Sequence, residues 1–140
     1  MKSTLRFALT LLLFLVLAAG GPKIQHFGLS QSIPAADSKI VSPGQLQLWF
    51  TQAPQEGSVT IRLVDSGGDL VGTGEPVQNS EDPKLMEGEV PSVLDAGGYT
   101  VMWRGIGDDG HVVRDEFGFE VTPESYVVWV NDRAAWKGGG

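Results

Sequence analysis

The chain has 140 residues, with 10 basic and 17 acidic side chains and a net charge of −7. Such a length suits one domain, and the acidic balance repels a phosphate backbone, which argues against nucleic acid as a partner. With no cysteine anywhere, disulfides and a lipid on an N-terminal cysteine are both excluded, so a core alone must hold the fold.

Lys2 and Arg6 precede an apolar run from Phe7 to Ala19 that only Thr10 interrupts, and Ala18, Ala19, Gly20 and Gly21 follow at once. A run this short falls below the ~18 to 20 residues of a membrane-crossing helix and reads as a secretory signal, residues 1–20, cleaved near Gly20. Dropping 20 of 140 residues leaves 120, and losing Lys2 and Arg6 leaves 8 basic against 17 acidic groups, a net charge of −9. This charge favours solubility and, more weakly, draws metal cations.

Beyond the signal, period-two alternation recurs: Leu46, Leu48 and Phe50; Val59, Ile61 and Leu63; Tyr99, Val101 and Trp103; Phe117, Phe119 and Val121. Each set puts its apolar side chains on one face of a strand. Turn-forming clusters punctuate these runs: Ser42-Pro43-Gly44, Asp65 to Asp69, Asp95-Ala96-Gly97-Gly98 and Gly107-Asp108-Asp109-Gly110. An all-β sandwich or barrel of short strands is expected. The stretch from Gly72 to Pro91 alternates weakly and is broken by Pro76 and Pro83, so short edge strands and loop are expected there. Tyr99 follows a glycine-rich turn at the start of a strand, the position of a tyrosine corner in Greek-key sandwiches. Trp49, Trp103 and Trp129 are assigned to packing. Tyr126 to Val130 is left as a tail or one more edge strand within residues 126–140, and Gly138-Gly139-Gly140 is expected to be disordered.

Candidate chemistry is sparse. Two histidines, no cysteine and no Gly-x-Ser-x-Gly elbow give nucleophilic catalysis no support. The glycines between Gly67 and Gly74 are explained by a turn leading into an edge strand. What remains is Asp109-Gly110-His111, where residues i and i+2 of extended backbone project to one side and Gly110 permits a tight turn. On residue types alone, such a tripeptide is more often a solvated turn than a ligand pair.

Three segments, in order, resemble the CopC family of periplasmic copper-binding proteins. His26-Phe27-Gly28-Leu29-Ser30-Gln31-Ser32-Ile33-Pro34-Ala35 is similar to H-A-x-L-x-x-S-x-P-A. Leu94 to Arg104 resembles L-x-x-G-x-Y-x-V-x-W-R, and Asp109-Gly110-His111 with Phe117, Phe119 and Val121 resembles D-G-H followed by F-x-F-x-V. The resemblance implies an Ig-like Greek-key β-sandwich of about seven strands over residues 21–125. It also implies a Cu(II) site at one end made by His26, Asp109 and His111. Imidazole and carboxylate suit Cu(II), which heads the Irving–Williams order.

A non-enzymatic, monomeric carrier or buffer of copper in the periplasm follows as the expectation, with an inner-membrane copper transport protein as its further partner. Two alternatives stand beside it: an Ig-like interaction or structural module that has lost the metal, and a copper oxidase of polysaccharides with an N-terminal histidine. The chain departs from the family pattern at Gln52, where an acid is common, at Gly107 for serine and at Asp115 for glycine. Residues 21–25 precede His26, which in the family is commonly the mature N-terminus. Met1, Met86 and Met102 are the only methionines, too few and too scattered for the clustered thioethers of a Cu(I) site.

Overall fold

In the computed structural model, which describes residues 25–123, every alternating run becomes a strand with its apolar side chains turned one way. The expected signal and the 126–140 tail, with Trp129, lie outside the described residues. In chain order the strands are β1 (Leu29–Ile33), β2 (Lys39–Ile40), β3 (Gln45–Phe50), β4 (Thr60–Asp65), β5 (Leu70–Val71), β6 (Val77–Gln78), β7 (Leu85–Glu89), β8 (Gly97–Ile106) and β9 (Val112–Val121). Three of these nine, β2, β5 and β6, are two-residue pieces at sheet edges, which is why the strands outnumber the seven expected.

Two sheets form, ordered β1-β3-β7-β6 and β2-β9-β8-β4-β5. The chain changes sheet between β1 and β2. Asp37 N donates to Gly118 O at 2.8 Å and Glu120 N to Ser38 O at 2.9 Å, laying β2 parallel along β9. Between the sheets lie Leu46, Leu48, Phe50, Ile61, Leu63, Val101, Trp103, Phe119 and Val121, all buried. Each large apolar side chain taken fully from water contributes roughly 1.5–3 kcal/mol, so the alternation supplies the core that an absent disulfide cannot.

The segment from Gly72 to Pro91 is more ordered than its pattern suggests. β6 is a short edge piece as expected, but β7 is interior, paired antiparallel with β3 through five residues. Its alternation is hidden because Gly88 stands at an inward position, where the Ile61 Cδ1 methyl lies 3.6 Å from the place a Cβ would take. An apolar group from the facing sheet fills what the strand itself leaves empty.

Tyr99 forms the tyrosine corner, its hydroxyl donating to Asp95 O at 2.9 Å, while its ring stacks on Phe119 at a centroid distance of 5.8 Å. Burial raises the phenol's pKa above 10.0, and the charges of Asp95 and Asp65 push the same way. Trp103 is buried and Trp49 half-buried, both on strands.

Candidate metal centre

Three segments meet at the end of the sandwich where β3 and β8 stop and β9 begins: the 26–28 segment, the 51–58 loop and the 107–111 turn. The anchor is Phe27. Its ring stacks on Phe50 at 5.0 Å and meets Trp103 edge-on at 6.3 Å, so the residue after His26 is a core residue. Thr51 then clasps the backbone on both sides of that ring. Its hydroxyl donates to His26 O at 2.8 Å and accepts from Gly28 N at 3.1 Å, while Thr51 N donates to Gly28 O at 2.8 Å. His26 is exposed, and its side chain makes no hydrogen bond among the described residues.

On the other side of Phe27 the chain needs glycine. A Cβ on Gly107 would stand 2.6 Å from Phe27 Cβ and 2.8 Å from Gln52 Nε2, and one on Gly105 would stand 2.8 Å from the Phe27 ring. Two of the departures from the family pattern, Gln52 and Gly107, are thus neighbours, with the glutamine amide crowding the space that a serine side chain would need. Gln55 secures the same stretch by donating from Nε2 to Gly107 O at 3.0 Å and from its backbone N to Ile106 O at 2.9 Å.

From Gly107 the hairpin turns through Gly110, whose φ of 77° is easy only for glycine, and whose N–H donates to Gly107 O at 3.0 Å. This turn folds Asp109 against His111. One carboxylate oxygen, Oδ1, accepts the His111 backbone N–H at 3.0 Å, and the other, Oδ2, lies 3.0 Å from His111 Nδ1. The His111 backbone N–H, followed by its imidazole, holds the Asp109 carboxyl below its ordinary 3.8. Slight desolvation opposes this, and the charges of His111 and, more weakly, His26 reinforce it.

The structure brings together two of the three candidate ligands, Asp109 and His111, and pins the backbone of the third on the adjoining segment. Among the described residues no three His, Asp or Glu side chains form a ready-made metal cluster. Sequence reasoning missed Thr51 and Phe27. The signal for Phe27 was a bulky residue inside an otherwise polar lead-in, whereas nothing local marks Thr51 as a clasp. Met86 lies in the core and Met102 on the outer face of the other sheet, so they do not converge on a soft-metal site.

A two-sheet Greek-key sandwich with an Asp-Gly-His turn and a histidine-bearing lead-in at one end defines the class of small β-domain to which this chain is compared. A family model described as the CopC domain matches residues 29–122, and the chain belongs to the CopC family. Asp109 and His111 fall inside the matched stretch and His26 three residues before it. The chain is 29% identical to copper resistance protein C of Escherichia coli over 76% of this chain and 90% of that protein. It is also 29% identical to copper transport protein CutJ of Bacillus subtilis (strain 168) over 83% of this chain, spanning only 21% of that longer protein. Crystal structures of CopC from Methylosinus trichosporium OB3b (TM-score 0.65, 28% identity, 71% of this chain and 96% of that one) and of PcoC, a methionine-rich copper resistance protein from Escherichia coli (0.63, 27%, 70% and 100%), share the fold.

Proposed function

We propose that this protein is exported to the periplasm and binds one Cu(II) through His26, Asp109 and His111. There it serves as a monomeric carrier or buffer in copper resistance and homeostasis. The observation that carries the reading is the Asp109–His111 pair. Its Oδ2 to Nδ1 separation of 3.0 Å is close to the ~2.8 Å between neighbouring donors of a tetragonal ion with bonds of about 2.0 Å. A copper ion taking the place of the proton would sit to one side of the line joining the two atoms, reached by a swing of the His111 ring that leaves the donor spacing nearly unchanged. With the proton left in place, Asp109 instead orients the ring and frees Nε2 for the metal. In either arrangement His26 completes the set by turning its exposed side chain toward the pair. The copper resistance and copper transport relatives support copper as the cargo, and an inner-membrane copper transport protein is the recipient we propose.

Equilibrium dialysis of the exported protein against Cu(II), with intact-mass measurement and electron paramagnetic resonance, tests this. One tightly held equivalent is expected, on a chain beginning near Gly21, with two nitrogens in the copper spectrum. A three-nitrogen signature on a chain beginning at His26 would instead mean that the terminal amine also ligates. A second reading, an interaction module without metal, draws on the open three-donor set and is favoured if dialysis retains no copper.

A further inference from the structure

We propose that the outer face of β4, β8 and β9 is a docking surface for an acidic segment of a partner protein. Within residues 25–123 the basic side chains are Lys39, Arg62, Lys84, Arg104 and Arg114, and all three arginines fall on this one face. Arg104 stands directly opposite Arg114, Thr60 opposite Arg104, Arg62 opposite Met102 and Met102 opposite Glu116. Because Trp103 points into the core, its neighbours Met102 and Arg104 point out, and their register partners share that side.

On a chain of net charge −7 each arginine has many acids to choose from, yet none of the three makes an ion pair among the described residues. Arg104 and Arg114 are set against each other, a like-charge opposition that costs stability. Together with Met102, which is 44% exposed, they line a groove of about 530 Å³ whose lining also includes Asp115 and Glu116. Guanidinium groups match carboxylates in bidentate pairs, and an exposed methionine offers an adaptable apolar contact.

The size of the groove and the sign of the remaining surface select the occupant. A flat anionic membrane would face every acid around the patch and be repelled within a Debye length, whereas a narrow acidic segment can follow the three arginines and meet only the acids of the groove itself. Position adds a reason for docking here. From the Arg104–Arg114 rung, two more rungs, Gly105 with Val113 and Ile106 with Val112, lead to the turn that carries Asp109 and His111, about 7 Å along the strands. A partner held on this face lies beside the candidate metal centre. The docking claim does not itself depend on copper.

The test is titration of the isotopically labelled full-length exported protein with a hexaglutamate peptide at low ionic strength, followed by amide chemical shifts. Saturable shifts centred on Thr60, Arg62, Met102, Arg104 and Arg114 are expected. They should weaken at least tenfold in the double variant Arg104→Gln/Arg114→Gln and fade as salt is added. That variant should unfold at the same or a higher temperature than the parent, since no pairing is lost, and should bind copper as the parent does, which separates this test from that of the metal site. Absence of saturable shifts, shifts that persist in the double variant, or engagement of the same residues by phosphatidylglycerol vesicles and not by the peptide would each overturn the proposal.

Discussion

The Thr51 hydroxyl donates to the carbonyl oxygen of His26 at 2.8 Å and in doing so ties the candidate ligand to the end of a core strand. Thr51→Val keeps the shape and removes the hydroxyl. Copper affinity should fall several-fold, with about 1 kcal/mol lost from stability, while Thr51→Ser retains both. Copper titration beside urea denaturation checks this; a valine variant with unimpaired affinity would show that His26 is placed by Phe27 alone.

His26→Ala and His111→Ala should each weaken Cu(II) binding by at least about tenfold, because a site with so few strong donors has none to spare. Asp109→Ala should cost less and Asp109→Asn least, since the amide oxygen can still accept from the His111 backbone N–H and keep the turn. Isothermal titration of the four variants ranks them, and unchanged binding in both histidine variants would refute the assignment.

Acidification separates the two kinds of donor. The Asp109 carboxyl is held below 3.8, so it stays ionised between pH 7 and pH 5, and the stability its interactions confer is lost only as pH falls below that value. Imidazole, by contrast, must be neutral to bind a metal and ordinarily titrates near ~6.5. Copper affinity should therefore drop steeply between about pH 7 and pH 5. A flat profile there would point to carboxylates elsewhere on the acidic surface.

Gly107→Ala drives a methyl to 2.6 Å from Phe27 Cβ. Overpacking of this kind costs about 1–3 kcal/mol, and here the displaced residue adjoins His26, so copper affinity should fall along with stability. Gly44→Ala, where a Cβ meets nothing within 4 Å, is the control for urea unfolding.

Tyr99→Phe removes the bond to Asp95 O and should lower stability by about 1 kcal/mol with copper binding untouched. The pKa of Tyr99 is raised above 10.0 in the folded state. Its contribution is therefore complete below pH 10.0 and is lost as pH rises through the higher folded value. The parent should lose stability in that alkaline range more steeply than the phenylalanine variant, as thermal unfolding at a series of pH values would show.

By itself the sequence determined the sheet faces, since a period of two leaves a strand no choice about which side chains it buries. Four apolar runs therefore became β3, β4, β8 and β9. The tyrosine corner was legible for the same reason, because its hydroxyl reaches only four residues back. The Asp109–His111 contact was local enough to be read from an i, i+2 spacing around a glycine.

Tertiary structure decided what depends on distant chain segments. β7 is an interior strand because Ile61, from the facing sheet, supplies the bulk that Gly88 lacks. His26 is held beside a turn eighty-five positions away because Phe27 enters the core under Gly105 and Gly107 and Thr51 clasps the backbone around it. The clustering of Arg62, Arg104 and Arg114 likewise exists only in the register of three strands, where pairing sets side by side residues that the chain keeps apart.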